Sequence, residues 1–141
     1  MRARTIHRKK LLKCLSLRQP YADLVVTGQK TIETRKWNTN FRGKFLVHAS
    51  KAIDTESAAL LNIDCSKAIK GAVIGIAFLY DVKKYANNED FLADKEKHFG
   101  FMFCEPKYGF ILKGAKRFNK SVPMIGRLGF FDVDRDILTC S

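Results

Sequence analysis

The stretch that decides the fold runs from Leu15 to Ser50: LSLRQPYADLVVTGQKTIETRKWNTNFRGKFLVHAS. Just before and into it, Leu11 to Arg18 alternates weakly and reads as a strand, with Cys14 and Leu15 or Leu17 as core positions. Gln19-Pro20 opens a short helix, because proline suits a first helical turn and Tyr21, Leu24 and Val25 share a face. Gly28 is placed to cap that helix in the left-handed conformation. Lys30 to Trp37 is predicted as the next strand. Alternate side chains of a strand share a face, so Ile32 and Thr34 form one set, with Ile32 in the core. Glu33, Arg35 and Trp37 project together on the other face, with Lys30 at the turn before them. Phe41-Arg42-Gly43 makes a turn, and Phe45 to His48 is a strand apolar on both faces.

Further along, Asp54-Thr55-Glu56 caps a second helix carrying Leu60 and Leu61. Ala72 to Val82 suits a buried strand that bends at Gly75. Asn88 to His98 is polar and acidic, a short exposed helix or loop. Phe101–Phe103, Tyr108–Lys113 and Arg127–Val133 are three further β-rich runs. This order is not the regular alternation of a parallel α/β sheet. It predicts an α+β fold: a small curved or closed sheet of five or six mostly antiparallel strands, with two or three helices packed outside.

The whole chain of 141 residues fits one domain, expected over residues 11–141 behind a flexible basic arm at 1–10. Its 46% apolar and 28% charged residues are globular proportions, which argues against disorder, collagen and coiled coil. Cys14, Cys65, Cys104 and Cys140 form no Cys-x-x-Cys pair, so zinc, redox and secreted disulfide motifs are disfavoured and a reducing cytoplasm is expected, the nucleus being compatible. The longest apolar run, Gly71 to Tyr80, is too short for a bilayer, and no membrane partner is expected. His7 and His98 have no partner at metal-ligand spacing, so neither metal nor cofactor is expected.

Charge is more telling. Residues 1–51 hold 13 basic and 2 acidic side chains, whereas 52–141 hold 13 and 12. The arm supplies part of the excess; Arg18, Lys30, Arg35, Lys36, Arg42, Lys44 and Lys51 lie inside patterned sequence and imply a basic patch whose natural partner is a polyanion. Within that patch Arg35 can clamp a phosphate, or be held by Glu33 so that its plane meets a base. Trp37 offers a stacking platform, and Glu33 an acceptor for an exocyclic amine. The same three residues also suit a plain salt bridge on a sheet face with the indole at the rim of the core. Arg18 and Gln19 either place polar groups at an anion-favouring helix start or simply cap it. Ser50 and Lys51 either face the same cleft or, for Ser50, cap the next helix. His48 is read as a buried, hydrogen-bonded histidine in preference to a catalytic base. The run Lys113, Lys116, Arg117, Lys120 reads as a solvated face or an extension of a nucleic-acid track.

These residues together resemble the ASCH domain (activating signal cointegrator homology) of the PUA-like superfamily. Its Gly-x-Lys-x-x-Glu-x-Arg motif is matched without a gap by Gly28, Lys30, Glu33 and Arg35, between the preceding Arg18-Gln19-Pro20 and the following Arg42-Gly43. Tyr108-Gly109-Phe110-Ile111-Leu112 and Gly126-Arg127-Leu128-Gly129 resemble its last barrel strands, so the likeness spans about Leu12 to Val133. The resemblance implies a PUA-like β-barrel with a cleft over the motif, to which Tyr108 and Arg127 are added by analogy. It also implies binding of RNA or DNA. The chain tracks the cointegrator relatives more closely than the bacterial amidohydrolases that deacetylate N4-acetylcytidine.

The expected function is therefore a nucleic-acid-binding module, RNA before DNA, single-stranded or modified, acting as a monomer or within a larger complex. Its contacts are Arg18, Gln19, Tyr21, Lys30, Glu33, Arg35, Trp37, Arg42, Ser50, Lys51, Tyr108 and Arg127. Two enzymatic alternatives use the same cleft, with Lys30, Glu33 and Arg35 as the catalytic set: an amidohydrolase on acylated cytidine, and a metal-free ribonuclease. Glu33 stands where the amidohydrolase relatives have a threonine nucleophile, which counts against the first. A fourth reading sets the basic face against acidic protein partners.

Overall fold

The computed structural model describes residues 10–139; the arm expected over 1–10 lies outside them but for Lys10. Six strands form one mixed sheet in the order β2-β5-β4-β3-β1-β6. They are β1 (Leu11–Gln19), β2 (Ile32–Arg35), β3 (Gly43–Ile53), β4 (Ala72–Lys84), β5 (Tyr108–Pro123) and β6 (Phe130–Asp134). β1 and β3 run parallel, and the other four pairings are antiparallel. Four short helices, α1 (Tyr21–Val26), α2 (Thr55–Leu60), α3 (Asn88–Ala93) and α4 (Lys95–His98), and a 3-10 turn over Arg135–Thr139 complete the α+β architecture.

The two sheet faces carry separate cores, which explains why Phe45 to His48 reads as apolar on both faces. Phe45, Val47 and Ala49 join Leu15, Leu17, Ile74, Leu79 and Phe110 beneath Ala22, Val25 and Val26 of α1. Cys14, Leu46, Val73 and Val133 form the second core, covered by Phe118, Ile137 and Leu138. Each fully buried Leu, Val or Phe contributes about 1.5–3 kcal/mol of hydrophobic free energy. The sheet also rolls up. Trp37, just after β2, and Phe110 of β5 lie 5.9 and 6.0 Å from Phe130 of β6, although β2 and β6 are opposite edges. The edges meet through rings and not through ladder hydrogen bonds, so the fold is barrel-like without being a closed barrel.

Local signals act as expected at α1 and β4. Gly28 follows the helix at φ +82°, and Gly75 lies where the β3–β4 and β4–β5 registers slip. A Cβ at Gly75 would press on the Lys116 carbonyl and lie 2.6 Å from Val26 Cγ1. Asp54 caps α2, its carboxylate accepting from Ser57 N at 3.0 Å, so Ser50 is not the cap; Leu60 is exposed and Ala58 is the buried contact.

Four expectations need correction. The strand predicted over Lys30–Trp37 is only Ile32–Arg35, since Lys30 turns back to donate its backbone N–H to Leu24. Phe101–Phe103 forms no strand: β2 already holds that edge of β5, and Phe103 packs on Phe91 instead. β5 continues ten residues past Lys113 by pairing with β4 through several register shifts. β6 begins at Phe130, which leaves Arg127 in the preceding loop.

α3 and α4, expected to be exposed, bury Phe91 and His98. The His98 ring stacks on Phe91 at 4.0 Å, its Nε2 donates to the Phe91 carbonyl at 2.7 Å, and its Nδ1 accepts from Gly100 N at 2.8 Å. Both nitrogens are satisfied in the neutral form, and burial pulls the pKa below the usual histidine value. The unfolded chain therefore takes up the proton first, and stability falls as pH drops below about 6.5. The urea midpoint should decline between pH 7 and pH 5, and His98→Gln should flatten that decline while lowering the midpoint at pH 7. An equally steep decline in the variant would assign the effect elsewhere.

Candidate functional site

A cleft of about 1080 Å³ opens where the ends of β1, β2 and β3 meet the β5–β6 loop. The Gly-x-Lys-x-x-Glu-x-Arg residues stand in a row from the interior to this cleft. Lys30, innermost, is 3% exposed, and its Nζ donates to the carbonyls of Ile32 (2.7 Å) and His98 (2.5 Å) while lying 3.4 Å from Glu33 Oε1. Those partners use all three of its protons, and the Tyr21 ring covers it at 4.8 Å. Burial lowers its pKa, and the Glu33 carboxylate opposes that shift.

Glu33 is also buried, and its Oε2 accepts from Arg35 Nε and Nη2, each at 2.8 Å. Arg35 Nη2 donates again to the Ser16 carbonyl at 2.9 Å, just past the point where β1 stops pairing with β6. The guanidinium is thus fixed along one edge, and its Nη1 has no protein partner among the described residues. Trp37 borders the cleft beside it, packed edge-on against Phe110 (5.2 Å) and Phe130 (5.9 Å). The geometry has features of both arrangements. There is a salt bridge and the indole sits at the rim of the core, yet the group also faces open space.

Six cations line the cleft: Arg18, Arg35, Lys36, Lys51, Lys107 and Arg127. Of the lining carboxylates, Glu33 is neutralised by two cations and Asp54 caps α2. The free charge facing solvent is positive. Burial pulls the Lys107 pKa below the ordinary lysine value. Tyr21 lines the cleft with its hydroxyl donating to the Phe99 carbonyl at 3.0 Å, and burial raises its pKa. Ser50 also lines it and donates to the Ala52 carbonyl.

Of the residues expected here, the structure brings together Arg18, Tyr21, Glu33, Arg35, Trp37, Ser50, Lys51 and Arg127. Gln19, Lys30, Arg42 and Tyr108 are not on the cleft wall. Gln19 is fully buried: its Oε1 accepts from Asp23 N at 2.9 Å and its Nε2 donates to Asp23 and to the Ile69 carbonyl. It supplies the cap that Pro20, at the N-cap position, lacks the side chain to make. Arg42 bonds the carbonyls of Thr39 and Phe41 in its own turn. Tyr108 packs against the α1-side core, opposite Arg35 on the neighbouring strand. Sequence reasoning missed Ser16, Lys36, Lys107 and the neighbours of Arg127 in the Met124–Gly129 loop as cleft residues. Lys36 was countable in the basic patch, but the others arrive through non-local register.

Lys30 is a positioning residue in this geometry. Lys30→Met leaves Glu33 short of a cation and strands two buried carbonyls, and should cost about 3 kcal/mol of stability in urea titration. Arg35→Gln, which removes the presented edge, should cost less stability. A Lys30→Met protein as stable as the parent would contradict the buried arrangement.

The ASCH domain model matches residues 15–119. Among solved structures, the chain is similar to an ASCH protein from Zymomonas mobilis, with TM-score 0.65, 14% identity, and 90% of each chain covered. It is likewise similar to a tyrosine-to-phenylalanine variant of that protein, at TM-score 0.62 and 15% identity, covering 94% of this chain and 96% of that one. Among curated proteins, none matches the sequence. A rolled mixed sheet and a family match over most of the chain agree: this protein belongs to the ASCH domain family.

Proposed function

We propose that the cleft binds nucleic acid, single-stranded RNA before DNA. The observation that carries this reading is the Arg35 guanidinium, held by Glu33 and the Ser16 carbonyl so that its remaining edge faces a cationic cleft beside Trp37. A fixed guanidinium suits a phosphate or the edge of a base, and a neighbouring indole suits a stacked ring. The cleft volume of about 1080 Å³ is that of a small-ligand pocket, enough for a splayed nucleotide. Sequence-specific RNA recognition works mostly on unstacked bases of single-stranded segments, which is why RNA is placed first.

Arg18, Lys51 and Arg127 are exposed around the opening and supply electrostatic capture. The catalytic alternatives built on Lys30 are less favoured: an ammonium donating all three protons inside the protein is a poor base. No helix among the described residues is long and apolar enough to cross a membrane.

Fluorescently labelled RNA and DNA oligomers, titrated at 50 and 200 mM salt, test the reading. Affinity should fall with salt at a log–log slope of about −0.7 per neutralised phosphate, no steeper than about −4 for six lining cations. Trp37→Ala should weaken binding by about 1–3 kcal/mol. Equal affinity at both salt concentrations would remove electrostatic capture and the proposal with it.

A further inference from the structure

One pair on the cleft wall has no part in the binding reading. β1 and β3 run parallel with Ser16 opposite His48, and Ser16 Oγ lies 2.8 Å from His48 Nδ1. His48 Nε2 lies 2.7 Å from the Met124 carbonyl, which can only accept. The proton is therefore on Nε2, Nδ1 is a bare lone pair, and the Ser16 hydroxyl donates to it. This is the arrangement of a nucleophile and its general base, oriented by a third group.

We propose that Ser16 is a nucleophile for acyl transfer, with His48 as its base, acting on carboxylic esters borne by a phosphate-carrying molecule. The nucleophile stands on its own geometry, whereas the phosphate-carrying part of the substrate rests on the cationic cleft invoked above.

Four further observations support the pair. Both residues line the cleft, although His48 is only 1% exposed, so the hydroxyl is presented to open space while its base is shielded from water. Gly126 lies directly against them. A Cβ there would fall 2.8 Å from Ser16 Oγ and 2.9 Å from His48 Nδ1, so only glycine leaves the hydrogen bond undisturbed. Arg35, bonded through Nη2 to the carbonyl of Ser16 itself, holds a cation against the nucleophile's own residue. Cys14 and Leu46 precede Ser16 and His48 by two residues and pack in an apolar core on the same sheet face. Packing alone would be served by continuing that apolar row.

In the first step Ser16 Oγ bonds to the ester carbon and its proton passes to His48 Nδ1, while the carbonyl electron pair moves onto oxygen beside the Arg35 guanidinium. The ester C–O bond then breaks, and the departing alkoxide takes the proton from Nδ1. Water repeats the sequence: it gives a proton to Nδ1, its oxygen bonds to the acyl carbon, and Oγ leaves and recovers the proton. The net change is ester plus water to acid plus alcohol. The imidazolium is supported by a carbonyl dipole and not by a carboxylate.

The full chain is incubated with p-nitrophenyl acetate, quenched in acid and mapped by peptide mass spectrometry. A single acetyl group on Ser16 is expected, together with catalytic release of p-nitrophenol. Ser16→Ala should abolish both, and His48→Gln, if folded, should acylate roughly 100-fold more slowly or worse. Ser16→Cys keeps the test valid should His48→Gln not fold, since it should accumulate a thioester at the same position. Acetylation confined to lysines, or release of p-nitrophenol undiminished in Ser16→Ala, would overturn the proposal. Wild-type oligonucleotide titration is run alongside: acylation of Ser16 without nucleic-acid binding at any salt would remove the phosphate-carrying substrate and leave the cleft reading, separately, refuted.

Discussion

The buried Glu33 carboxylate, shared between the Lys30 ammonium and the Arg35 guanidinium, is the constraint on which the site depends. At separations near 3 Å and an effective dielectric of about 20, each ion pair is worth about 5 kcal/mol of attraction, which desolvation of the three charges largely offsets. Its consequence is placement more than stability. Lys30 sits after α1 and reaches the carbonyl of His98 at the end of α4; Glu33 and Arg35 lie on β2; and Arg35 reaches the carbonyl of Ser16 on β1. A charge network thus ties together four elements that no continuous ladder joins, and it sets the angle at which the Arg35 guanidinium meets the cleft.

Aromatic packing works with that network. Phe130 of β6 is met by Trp37, Phe41, Phe45 and Phe110, so a single ring gathers the two free edges of the sheet. The roll places β1, which carries Ser16 and Arg18, across the cleft mouth from β2 and Trp37. Trp37 shows how core and surface roles combine: the edge contacts that seat the indole in the barrel-like core also fix the part that borders the cleft. An indole held this way would lose little freedom if a ring stacked on it, as proposed.

What was legible in the sequence was local. Pro20 and Gly28 bracket α1, Gly75 marks the bend of β4, and strand parity puts Ile32 in the core with Glu33 and Arg35 on the other side. What was illegible depends on partners far away in the chain. Lys30 looks like a solvated or ligand-facing lysine until the carbonyl of His98, 68 residues on, is seen to hold it. Gln19 reads as polar and available, but Asp23 and Ile69 enclose it. Ser16 and His48 become neighbours only through a parallel register across an intervening helix and strand, which no spacing rule reports. Phe101–Phe103 has strand composition, but it pairs with no strand and Phe103 packs on Phe91 instead. The motif was therefore recognisable as a motif, while the depth of each of its members was not.

That depth divides the cations of the cleft into two kinds with different physics. Arg18, Lys51 and Arg127 are solvent-exposed at the opening, where ionic strength screens them over about 8–10 Å. They attract any polyanion and distinguish little among them. Arg35 is about one-fifth exposed at its side chain, hydrogen-bonded along one edge and backed by a buried carboxylate, so its interaction depends on alignment with a particular acceptor and is screened far less. On the proposed reading, a cleft with both kinds would gather a polyanion by long-range attraction and then select by fit at one rigid point. The buried Lys30–Glu33 pair is what makes that point rigid.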